Sequence, residues 1–154
     1  MIELLRYLHV IGATVLFGTG AGIAFFMVMS HRSRDPALIA HVAGIVVQAD
    51  TVFTATAALA QPVTGILLAC ALGWPLSEPW LLLSLALYVV VGAFWLPVVW
   101  MQLRMRDLAR AARDTGQPLP AAYHRLYRLW FAFGVPAFFS VMAILWLMLT
   151  RPVF

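Results

Sequence analysis

The sequence predicts an all-α membrane protein, with four transmembrane helices in an up-down-up-down bundle, and three observations lead there. Of its 154 residues, 64% are hydrophobic and 10% charged, against about 45–50% and about 25% in soluble domains. Ten arginines, six acidic residues and no lysine cannot coat a polar skin around a core of this length, which all but excludes a soluble single-domain enzyme. Four stretches reach the roughly 20 apolar residues that a spanning helix needs, and the arginines collect on alternate connections between them.

The first helix is expected over about residues 2–30, uncharged between Arg6 and His31. It is too long for a signal-peptide core and is followed by charges rather than a small-residue cleavage site, so it is expected to stay in the mature chain. The second is expected over 36–73, opening at Asp35-Pro36, where proline suits the first helical turn. Unbroken, it would be about 55 Å long at 1.5 Å per residue, well beyond the roughly 30 Å hydrocarbon core. A kink at Pro62, and a first two turns (with His41) standing among the headgroups, would absorb the excess. The third is expected over 79–113, becoming amphipathic from Arg104 to Arg113 and meeting anionic lipid there, and the fourth over 120–150. The segments His31–Pro36, Gly73–Pro79 and Asp114–Pro120 read as turns. Without an internal repeat, low-complexity tract or linker, residues 1–154 read as one domain.

Arg32, Arg34, Arg104, Arg106, Arg110, Arg113, Arg125 and Arg128 fall on one side, and only Arg6 and Arg151 on the other. Cytoplasmic flanks carry the Lys/Arg excess, so the chain is expected in a bacterial inner membrane with both termini periplasmic. The formal charge of +4 therefore reads as topology rather than nucleic-acid binding, for which no module pattern is present. Cys70, the single cysteine, closes no intramolecular disulfide.

Polar residues are costly in lipid and so point to function. On a helix Asp50, Thr54, Ala57, Gln61 and Thr64 recur as one stripe. It reads as an interhelical hydrogen-bond seam, as a proton or ion path, or as the wall of a cofactor cavity. His9 lies a turn past Arg6, and imidazole is a common haem ligand. Gly12 and Ala13 remove bulk where a macrocycle would lie, and Arg6 is placed to pair with a propionate. The alternative is a neutral histidine bonded to a neighbouring helix. At similar depth stand Gln61, Thr64, Tyr88, Met142 and Met148; the two methionines are the credible second axial ligands, and a symmetric homo-oligomer would instead supply a second His9. His41 lies roughly 25 Å from the depth of His9. His31, His41 and His124 lack metal-site spacing and read as solvated or headgroup-facing. Small residues from Gly18 to Gly22 suit close helix packing. Trp74, Trp80, Tyr123, Tyr127 and Trp130 read as interface belts, and Trp95, Trp100 and Trp146 as packing groups.

Leu8-His9-Val10-Ile11-Gly12, Ala49-Asp50-Thr51-Val52-Phe53, Pro79-Trp80-Leu81-Leu82 and Tyr123-His124-Arg125-Leu126 resemble the small integral membrane family called domain of unknown function 2269, across essentially the whole chain. That family is distantly similar to copper-resistance D-like proteins and to small bacterial membrane protoporphyrinogen oxidases, which carry a histidine in a like setting on helix 1 and bind haem b. The resemblance implies His9 as a haem ligand. The absence of lysine leaves lysines associated with the oxidases' third helix without counterparts, which puts oxidase activity in doubt.

The expected function is a haem-b-binding membrane protein, in electron transfer or as a haem-dependent oxidoreductase toward quinone or a porphyrin-like substrate. Its expected site is His9, Arg6, Met142 and Met148, with the lipid bilayer as environment. The competing expectations are a non-catalytic scaffold or sensor subunit, and a proton or ion transporter using Asp50, Thr54, Gln61 and Thr64.

Overall fold

The computed structural model describes residues 1–152. They form α1 (Ile2–Ser33), α2 (Pro36–Ala49), a π-helical turn (Asp50–Thr54), α3 (Ala55–Ala71), α4 (Pro79–Thr115) and α5 (Ala121–Thr150), with no strand among the described residues. Taking α2, the π turn and α3 as one rod, four helices are long and apolar enough to cross a membrane.

Local chemistry sets the ends. The Asp35 side chain accepts the Ala37 N–H at 2.9 Å ahead of Pro36, the expected N-cap and first-turn proline. Gly116 closes α4 in the left-handed region, where glycine is unstrained. Arg34 closes α1 in the same region without that freedom (φ 59°). Pro62, where a kink is expected, lies inside α3, whose helical assignment continues on both sides of it, and a further irregularity, the π turn, begins at Asp50. A π turn commonly arises from one extra residue in a helix.

The bundle is packed unevenly. Its main core lies toward the arginine-rich end, where Met27, Ile39, Met105, Ala109, Tyr123 and Trp130 are buried together. Here α4 packs along α5 and α2, and α2 along α1. Beyond the π turn, α3 leans on α1 and meets α4 and α5 sparsely. A smaller cluster of Ala69, Trp80 and Leu81, with Trp74 and Met148 against it, closes that end. Phe25, Phe26, Leu59, Val89 and Leu149 face outward, as expected where lipid is the solvent.

Several aromatic expectations reverse. Trp80, Tyr123 and Trp130 are buried rather than forming a belt, whereas Trp100 and Trp146 are exposed. Boundary position alone cannot tell a belt residue from one facing a neighbouring helix, since both lie at the same depth.

Candidate functional site

The loose packing of α3 leaves a cavity of about 640 Å³ between α1, α3, α4 and α5 at the end that carries the termini. That lies within the roughly 300–1,000 Å³ of small-molecule and cofactor sites. Its walls are mostly apolar, and His9, Gln61, Ser84, Tyr88, Met148 and the arginines Arg6 and Arg151 supply its chemistry.

His9 is held from α3. Its Nδ1 lies 2.9 Å from Thr64 Oγ1, and the Thr64 hydroxyl donates back to the Ala60 carbonyl at 2.8 Å. Donation of the Thr64 proton to the Ala60 carbonyl leaves its oxygen to accept from His9 Nδ1–H; in that tautomer Nε2 keeps its lone pair, with no hydrogen-bond partner among the described residues. Gln61 Nε2 donates to the His9 backbone carbonyl at 2.9 Å, using the second lone pair of an oxygen inside α1. Two glycines make this approach possible: a Cβ on Gly65 would stand 3.1 Å from His9 Cε1, and one on Gly12 would collide with the Gln61 amide. Gly12 therefore makes room for Gln61 rather than for a macrocycle; Ala13 does line the cavity.

The polar stripe divides between two neighbours. Gln61 and Thr64 serve α1, whereas Asp50 and Thr54 are buried toward the centre of the bundle, where Trp95 Nε1 donates to Asp50 Oδ1 at 3.3 Å. Among the described residues Asp50 Oδ2 and Thr54 Oγ1 have no hydrogen-bond partner, and neither residue lines the cavity. Trp95 is thus a polar partner as well as a packing group. The Tyr88 hydroxyl crosses from α4 to donate to the Ala58 carbonyl, one of the ties that hold α3 in place.

Of the two methionines, Met148 lines the cavity with His9, whereas Met142 is exposed and outside it. Arg6 is paired with Glu3 at 3.2 Å. Arg151, which the sequence marked only as a topological charge, lies over the Trp74 ring at 4.5 Å and lines the same cavity. The sequence puts it at the same end as Arg6, but that both line one cavity follows only from the way α5 returns beside α1. Gly65 had no separate signal either. At the other end His41 and His124 are exposed, whereas His31 is half-buried and stacked on Tyr127, with centroids 3.6 Å apart. Among the described residues no three His, Cys, Asp or Glu side chains gather around one point.

Long apolar helices around a lipid-facing surface, with one partly polar cavity between them, define a multi-pass integral membrane protein. The chain belongs to the family described as predicted integral membrane protein (DUF2269), whose model matches residues 3–152. No curated protein and no solved structure matches it.

Proposed function

We propose that the cavity at the terminal end is a haem b site, and that the protein works in electron transfer or as an oxidoreductase toward quinone or a porphyrin-like substrate. The observation that carries the reading is the His9–Thr64 pair: a histidine whose Nδ1 is engaged by a hydroxyl of the neighbouring helix and which lines a cavity of cofactor size, an arrangement that leaves Nε2 to a ligand. Metal-ligating histidines commonly donate their other N–H to an oxygen in this way.

The residues present fit such a group. His9 would hold the iron, and Met148, on the same cavity, is the candidate for a second protein ligand. Arg6 and Arg151 would meet the propionates with charge-assisted hydrogen bonds. The bound haem would supply one-electron redox chemistry, and the apolar walls would exclude water and set the dielectric around it. The chain is read as an inner-membrane protein with periplasmic termini, which puts the cavity at the periplasmic side. The transporter reading has less support, because Asp50 and Thr54 lie outside the cavity lining and Asp50 is engaged by Trp95.

The test is the visible spectrum of protein purified from haem-replete cells. Wild type is expected to show a Soret band, His9→Ala to insert and purify without it, and Met148→Leu to keep haem with an altered spectrum and a lower potential. Wild type without haem, or His9→Ala with an unchanged spectrum, would leave the scaffold reading ahead.

A further inference from the structure

The arginine-rich end carries a second concavity, unrelated to the first. An open cleft of about 1000 Å³ runs between the α1–α2 turn and the α4–α5 turn. Arg32, Arg34 and Arg113 line it together with His31 and His124. One carboxylate, Asp35, also lines it, and that side chain is turned to the Ala37 N–H at the start of α2. Arg113 is held in place by its neighbour Asp114, at 2.8 Å. Arg32 and Arg34 make no ion pair among the described residues.

Two further features point the same way. Arg34 occupies the left-handed region (φ 59°, ψ 11°), a conformation costly for a residue with a Cβ. Across the cleft the equivalent helix end is closed by a glycine, Gly116, also on the lining. Non-glycine residues kept in such conformations concentrate at ligand clamps. Pro36 and Ala37 border the cleft as well, so the positive end of the α2 dipole adds to the field of the guanidinium groups. His31, on the lining, lies stacked on Tyr127, with its Nδ1 3.3 Å from the buried Tyr123 hydroxyl.

We infer that this cleft binds a phosphate-bearing anion, gripped by Arg32, Arg34 and Arg113 beside the first turn of α2. Guanidinium forks match phosphate oxygens two at a time; Asp35 on the lining and Asp114 paired with Arg113 leave the three guanidinium groups in excess, and Arg32 and Arg34 have no carboxylate partner among the described residues. The cleft stands at the ends of the spans, so the phosphate belongs either to the headgroup of an acidic phospholipid or to a soluble phosphate ester.

The full chain in nanodiscs distinguishes these sources. In discs of phosphatidylcholine alone, pyrophosphate is titrated against the midpoint of thermal unfolding, since a ligand that binds only the folded state raises it. A second measurement compares that midpoint with the one in an equal mixture of phosphatidylcholine and phosphatidylglycerol. A rise with pyrophosphate identifies a soluble ligand, and a rise only in the mixed discs identifies the headgroup. In either case Arg32→Gln, Arg34→Gln and Arg113→Gln should each weaken pyrophosphate binding about tenfold, the loss expected for one charge-assisted hydrogen bond, or remove most of the rise in mixed discs. Arg34→Gly, which suits the left-handed conformation, should do the same while keeping the fold. Arg125→Gln and Arg128→Gln remove equal charge from the same end outside the cleft lining and should leave the response intact. No rise in either disc, or equal losses in the cleft variants and these controls, would overturn the site.

Discussion

At the scale of residues, the consequential contacts are those that orient His9. Replacing Thr64 by valine preserves shape and removes the acceptor for Nδ1–H, so the imidazole loses its fixed tautomer. Under the haem reading, Thr64→Val should lower haem affinity by about 10–100-fold, the usual loss of an outer-shell partner, with Thr64→Ser restoring it; haem titration followed by absorbance checks both. The glycines offer a test that needs no cofactor. Gly12→Ala drives a methyl into the Gln61 amide and should cost about 1 kcal/mol, the hydrogen bond to the His9 carbonyl that Gln61 gives up as its side chain swings aside. Gly18→Ala, with nothing near its missing Cβ, should be neutral or stabilise by up to about 1 kcal/mol. Comparing thermal midpoints in one detergent separates them. Asp50 and Trp95 form a seam of the same kind: Asp50→Asn should hold the fold, whereas Asp50→Leu, leaving Trp95 Nε1 unpaired, should weaken it by about 1–2 kcal/mol.

At the scale of elements, the π turn matters most. One residue subtends about 100° of an α-helix, so the turn sets which face of α3 carries Gln61 and Thr64 toward His9. Deleting Thr51, whose side chain is exposed, should convert Asp50–Thr54 to regular helix and rotate α3 relative to α2. The expected outcome is an inserted, helical protein whose His9 site is lost. Circular dichroism reports the helix content, and failure to retain haem reports the site. Arg34 is the other local irregularity. Apart from any ligand, Arg34→Gly should raise stability by about 1 kcal/mol by relieving the left-handed conformation, measurable as a higher midpoint in neutral discs.

At the scale of the molecule, charge and packing are both polarised. Eight arginines face three aspartates at one end, whereas Arg6 and Arg151 are matched by Glu3 and Glu78 at the other. The positive-inside preference then predicts periplasmic termini; reporter fusions at the C-terminus should be active only in their periplasmic form, and a cytoplasmic C-terminus would invert the topology. The tight core lies toward the charged end and the cavity at the neutral one. A bundle anchored at one end can leave a gap at the other without losing the helices, because each helix satisfies its own backbone hydrogen bonds in lipid.

The helices were legible along the chain because span length, apolar content, Pro36, Pro79 and Gly116 are local signals, and they identify ends to within a few residues: 79–113 was expected where Pro79–Thr115 is found. The depth of His9 was legible too, since a fixed rise per residue places Gln61 and Thr64 beside it, and both bond to it. Rotation was not. Whether Met148 or Met142 meets the cavity, whether Trp80 faces a neighbour or lipid, and how the Asp50 stripe divides between α1 and α4 depend on the angle at which each helix presents its faces. One extra residue in a π turn changes that angle by about 100° while leaving composition and mean hydropathy untouched. Composition and spacing therefore set length, depth and charge, whereas the cavity, with Arg6 and Arg151 both on its lining, and the arginine cleft exist only because four separately legible helices pack at particular rotations.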